Sequence, residues 1–104
     1  NYDDVVEAIS QIDWNPTVVI SGTARGADSL GEEWAKNNKI SIERFPADWN
    51  FHGRSAGFIR NMKMAKNADA LVALWDGKSN GTRHMINIAK KEGLKVFVHI
   101  VGDN

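Results

Sequence analysis

The sequence predicts an α/β fold, a doubly wound parallel sheet, on three observations. Four short runs rich in β-branched and apolar residues alternate with four stretches whose apolar residues recur at helical spacing, in the order α-β-α-β-α-β-α-β. Most connections between them are short, which favours right-handed crossovers between parallel strands. Two of the runs lead into glycine-containing turns that open helices, and in such sheets ligands sit beyond the carboxyl ends of the strands.

Residues 3–13 read as an amphipathic helix. Val5, Ile9 and Ile12 share a face, Val6 and Ala8 widen it, Asp3 or Asp4 caps it, and Asn15-Pro16 ends it. Residues 17–20, Thr-Val-Val-Ile, are a continuous β-branched run, the mark of a strand covered on both faces. A helix over 27–37 follows, with Ala27, Leu30, Gly31, Trp34 and Ala35 as its apolar stripe. Residues 40–45 alternate and read as a strand nearer an edge, closed by Pro46. Residues 46–55 form a long connection rich in aromatic and charged side chains. The helix over 56–67 is expected to turn Phe58, Met62 and Ala65 inward, with Ile59 beside them and Ser55 as cap. Residues 70–75 are a second buried strand and 76–81 a second glycine-containing turn. Thr82 is expected to cap the next helix, in which Met85, Ile86 and Ala89 face inward and which Gly93 ends. Residues 95–101 are the last strand. Sheets of this kind usually begin on a strand, commonly the central one, so a first strand is expected upstream of Asn1.

Composition narrows the function. The 104 residues suit one domain spanning 1–104, and 42% hydrophobic residues with four Trp and four Phe suffice for a core. Lys plus Arg equals Asp plus Glu at 13 each, so no global field favours extended nucleic acid. The absence of cysteine excludes disulfides and thiolate metal sites. The apolar runs are of strand length and no signal-peptide pattern is present, so no membrane partner and a cytoplasmic location are expected.

The chemistry converges on the turns. Residues 21–28, Ser-Gly-Thr-Ala-Arg-Gly-Ala-Asp, follow a strand and open a helix, so backbone N–H groups and the helix dipole point at one spot suited to phosphate. Ser21 and Thr23 hydroxyls and the Arg25 guanidinium can assist Gly22 and Gly26, and Asp28 sits in the first turn. Without further glycines or a Gly-Lys-Ser/Thr this is neither a dinucleotide fingerprint nor a Walker loop. Gly77, Ser79, Gly81 and Thr82 form a second such turn. Arg60 and Asn61 lie in the first turns of their helix, sharing faces with small or apolar neighbours, and Arg60 can pair with a phosphate. Trp49 and Trp75 can stack on a base. No Ser–His–Asp, HExxH or metal-ligand spacing appears, so no metal and no cofactor are expected. Trp14, Trp34 and the methionines read as core.

The stretches SGTARGADSLGEEWA, FPADW and GFIRNMKMAKNADALVALWDGKSNGT resemble the SLOG superfamily, and within it the YspA-type, YpsA-related stand-alone branch. The resemblance implies a Rossmann-like sheet whose rim binds nucleotides or nucleotide-derived ligands, with residues 22–28 and Gly81-Thr82 forming the pocket. More distantly, the chain is similar to the Lonely Guy phosphoribohydrolases. Arg60 resembles their arginine, but Asn61 stands where they have lysine, and Arg83, His84 and Met85 follow Thr82 where they carry a glutamate. The Ser21 to Asp28 turn also resembles that of the DNA-processing protein A family.

The first expectation is therefore binding or sensing of a phosphorylated nucleoside or ADP-ribose-like ligand, held by Ser21, Gly22, Thr23, Arg25, Gly26, Asp28, Arg60, Asn61, Gly77, Ser79, Gly81 and Thr82. The second is N-glycosidic hydrolysis of nucleoside monophosphates, with Arg60 at the phosphate and Asp76 as acid. The third is single-stranded nucleic-acid binding. The missing carboxylate after Thr82 weighs against turnover, and self-association into a homodimer stays open.

Overall fold

The computed structural model describes residues 1–23 and 26–101. The elements are helix α1 (Tyr2–Ser10), strand β1 (Val18–Ser21), helix α2 (Ala27–Asn37), strand β2 (Ser41–Arg44), a short helix α3 (Trp49–His52), helix α4 (Ala56–Lys66), strand β3 (Ala70–Trp75), helix α5 (Asn80–Lys91) and strand β4 (Lys95–Ile100). A 3-10 turn, Gly53–Ser55, joins α3 to α4. The fold is α/β. Among the described residues the strands form two parallel pairs, β1 with β2 and β3 with β4. Val18 faces Ser41 and Ser21 faces Arg44 in one pair; Ala70 faces Lys95 and Trp75 faces Ile100 in the other.

The helix starts differ from two expectations. Asn1, not Asp3 or Asp4, caps α1: its side chain accepts the Asp4 N–H at 3.2 Å. Ser79, not Thr82, caps α5, because Ser79 leaves the helix with ψ 122 while Thr82 lies inside its first turn. Ser55 does stand at the start of α4, but its side chain makes no capping bond.

The core gathers on small residues and a few large ones. Val5 of α1 and Trp34 and Ala35 of α2 pack with Val19, Ile42 and Leu74, so the two helices bring β1, β2 and β3 into one cluster. Ala56, Met64, Ala65, Ala73, Ile86 and Ala89 are buried around α4, β3 and α5. The inward stripe of α4 is not the expected one. Ala65 faces in as expected, but Phe58 and Met62 are about half exposed, at 51% and 47%, and Asn61 and Met64 face in instead. A polar side chain inside a helix face is tolerable only when bonded, and Asn61 is bonded on both sides. Nor is β1 sealed on both faces: Val18 is 47% exposed. No helix among the described residues is long and apolar enough to cross a membrane.

Candidate functional site

β1 ends on Ser21 and the chain turns at once. Ser21 is buried, and its hydroxyl donates to Glu32 Oε2 at 2.6 Å while accepting the Thr23 N–H at 3.1 Å. The other Glu32 oxygen, Oε1, accepts from Arg44 Nε at 3.0 Å and Nη2 at 2.8 Å. One carboxylate on α2 thus ties together the carboxyl ends of β1 and β2. The Ser21 hydroxyl first, and Arg44 second, hold the Glu32 pKa below its ordinary value. Thr23 has φ 60 and Gly26 has φ 81, so the turn bends through left-handed backbone on both sides of residues 24 and 25. Arg25, a sequence candidate for phosphate, lies outside the described residues. Asp28 is half-buried in the first turn of α2.

Arg60 crosses this turn. A Cβ at position 22 would lie 2.7 Å from Arg60 Cδ, so glycine there is what lets the arginine approach. Arg60 Nη1 donates to the Gly22 carbonyl at 2.6 Å, and Nε donates to Asn61 Oδ1 at 3.1 Å. Asn61, 6% exposed, places its amide nitrogen 3.2 Å from His84 Nδ1 on α5. His84 in turn packs against Phe58, with ring centroids 4.3 Å apart. The first glycine turn is therefore wired through α4 to the second turn of α5.

The turn after β3 is built by Asp76. Its Oδ1 accepts the N–H groups of Ser79 at 2.8 Å and Lys78 at 2.7 Å, and these bonds, Ser79 first, hold its pKa below the ordinary value. An exposed carboxylate so engaged is an acceptor that shapes the turn, which suits it poorly to donating a proton. Gly77 supplies φ 81. Ser79 Oγ accepts the Thr82 N–H at 3.5 Å and lies 3.4 Å from its hydroxyl; Gly81 is exposed beside them. Trp75 Nε1 donates to the Ser79 carbonyl at 3.1 Å, and the Arg83 guanidinium lies 5.5 Å from the Trp75 ring centroid, covering one of its faces. Trp49, the other stacking candidate, is 60% exposed on α3, and Trp14 is half-buried beside a separate hollow.

That hollow, about 420 Å³, lies at the amino ends of β1 and β2, between Ile9, Trp14, Trp34 and Ile40, and none of the side chains lining it is charged. It is remote from both glycine turns. A smaller cleft of about 210 Å³ opens at the carboxyl end of β2, where Arg44, Arg60, Lys63, His52 and the carboxylate of Asp48 surround the apolar Phe45 and Ile59. The smaller cleft adjoins the Gly22 turn through Arg60, which lines the one and bonds the other. Among the described residues one group could hold a metal ion: Asp4, Glu7 and His99, whose ligand atoms lie within 4.8 Å of one another. His99 Nε2 stands 3.9 Å from Glu7.

Glu32 and His84 were not candidates from sequence. Neither lies in a turn, and their partners, Ser21 with Arg44 and Asn61, are 11 or more positions away.

The family model described as the YspA, cpYpsA-related SLOG family matches residues 3–52. The chain is also similar to the Gene 61 protein of Mycobacterium phage D29, 40% identical over 86 residues, which cover 77% of this chain and 69% of that protein. The chain belongs to the YspA, cpYpsA-related SLOG family. No solved structure matches it. Membership in this SLOG family is consistent with nucleotide-related binding or processing. The matched segment contains the Gly22 turn, Glu32 and Arg44, while Arg60, Asn61 and His84 lie beyond it.

Proposed function

We propose that the rim formed by residues 21–28, Arg60, Asn61 and residues 76–82 binds a phosphate-bearing, nucleotide-derived ligand and does not cleave it. The observation that carries this is Arg60, whose guanidinium is held across the buried Gly22 at 2.6 Å. An arginine fixed beside a strand-to-helix turn adds a full charge to the partial charge of the helix start, and the two together favour an oxyanion. The cleft lined by Arg60, Lys63, Asp48 and the Glu32-paired Arg44 adjoins that turn, and its 210 Å³ suits one end of a nucleotide better than the whole. Ser21, Thr23, Arg25, Gly26 and Asp28 belong to one side of this site and Gly77, Ser79, Gly81 and Thr82 to the other. Trp49, exposed, is the better placed of the two tryptophans to meet a base. Binding is preferred to N-glycosidic hydrolysis because Asp76 is occupied as a turn acceptor and Arg83, His84 and Met85 offer no carboxylate after Thr82.

This reading goes with a Rossmann-like arrangement in one domain. The β1–β2 and β3–β4 pairs would flank a central position, and the edges of β1 and β3 that have no strand neighbour among the described residues are where a central strand would lie. Calorimetric titration of the chain with adenosine 5′-monophosphate, and of its Arg60→Ala variant, tests the function. The unaltered chain is expected to bind and the variant to lose at least about tenfold in affinity, the loss of one charged hydrogen-bond donor. No binding by the unaltered chain would sink the proposal.

A further inference from the structure

We infer that Asn61 and His84 are positioning residues that aim Arg60 at the Gly22 turn, and that His84 serves in this only as its Nε2–H tautomer. The inference rests on the phosphate-binding reading of the site and adds what sets the geometry of its arginine. The argument is one of donors and acceptors. Arg60 Nε can only donate, so the Asn61 atom 3.1 Å away must be the oxygen. The other end of the same amide is then the nitrogen, which also can only donate, and it faces His84 Nδ1 at 3.2 Å. His84 Nδ1 must therefore carry a bare lone pair, and the neutral ring holds its proton on Nε2. Turning the Asn61 amide over would set a donor against Arg60 Nε. At 6% exposure Asn61 has little access to water that could stand in for a lost partner.

The consequence lies at the rim. Arg60 has a long, rotatable stem, and among the described residues it is held by bonds to Asn61 and to the Gly22 carbonyl. Asn61 is held in the orientation Arg60 needs because its other end is taken by His84. Among the described residues the hydrogen bond of His84 is to Asn61, and it acts through that amide. The pairing also explains why α4 turns a polar residue inward while Phe58 lies outward against the His84 ring at 4.3 Å.

The test uses the 104-residue chain, adenosine 5′-monophosphate as probe, and the variants His84→Gln, His84→Leu and Asn61→Leu, at a pH of about 8, where histidine is ordinarily neutral. Gln can offer Asn61 an acceptor and Leu cannot. His84→Gln is expected to bind within about twofold of the unaltered chain, and His84→Leu and Asn61→Leu to bind roughly tenfold more weakly while giving folded circular dichroism spectra. A role in packing alone would not separate Gln from Leu in this direction. In parallel, long-range ¹H–¹⁵N spectra of the unaltered chain are expected to show His84 protonated at Nε2 and bare at Nδ1. A proton on Nδ1, or equal affinity for the Leu variants and the unaltered chain, overturns the inference and leaves the binding reading standing. No binding of the probe by the unaltered chain overturns both. The spectrum needs no variant, so it decides the wiring even if His84→Leu does not fold.

Discussion

Gly22→Ala isolates the contact on which the site depends. The added Cβ would lie 2.7 Å from Arg60 Cδ and 3.0 Å from both Nε and Nη1. Carbon atoms rest at about 3.5–4.0 Å from each other, so Cδ must retreat by roughly 1 Å. The Nη1 bond to the Gly22 carbonyl, now 2.6 Å, would open to about 3.5 Å, beyond a sound hydrogen bond. The strain falls on Arg60 because Gly22 is not among the glycines with positive φ, so alanine meets the side chain and not a forbidden backbone. Losing one bond from a charged donor costs about 1.5–3 kcal/mol. If that loss appears in ligand binding, affinity for adenosine 5′-monophosphate falls roughly ten- to a hundredfold. Calorimetry gives the affinity, and urea unfolding separates it from any loss of stability. A Gly22→Ala chain that binds as tightly as the unaltered chain would refute the placement of Arg60 as the phosphate contact.

Other substitutions probe the scaffold around that contact. Ser21→Ala removes a buried hydroxyl with two bonds and is expected to destabilise the fold by about 1–3 kcal/mol in urea unfolding; a loss under ~0.5 kcal/mol would mean that Glu32 and Thr23 do not depend on it. Thr23→Asn places a residue tolerant of left-handed backbone where a β-branched one has φ 60, and a gain of about 1 kcal/mol is expected, with no gain arguing against strain in the turn. Glu32 and Asp76 have lowered pKa values in the fold. The stability they add is therefore present in full above their ordinary values of 4.5 and 3.8 and is lost as the pH falls below them. Urea midpoints should drop on acidification through that range, and less steeply in Glu32→Gln; an identical slope in the variant would show that Glu32 is not a source of it.

Much of this fold was legible where periodicity is strong. The helix over 27–37 and the strand over 70–75 lie where their apolar spacing places them, because each buries a face long enough to show its period. The connection over 46–55 was not resolved from sequence into α3 and the 3-10 turn, since Trp49, Phe51 and Arg54 are exposed and leave no stripe to read. The α4 stripe misled for a different reason. Phe58 and Met62 are the apolar choice, yet the helix turns Asn61 inward because Arg60 and His84 satisfy it, and a hydrophobicity pattern does not register a satisfied amide. Candidate site residues that act through backbone, such as Gly22 and Gly77, were visible as glycines in turns. Glu32 and His84 were not, because their roles depend on partners brought near only by folding.

The central claim is that the rim recognises phosphate in a nucleotide-derived ligand. It is tested most directly by titrating the same chain with adenosine 5′-monophosphate and with adenosine. The account predicts saturable binding of the monophosphate, competition by inorganic phosphate, and adenosine weaker by at least about tenfold, the weight of one charge-assisted contact. Equal affinity for the two, or no binding of either, would contradict it.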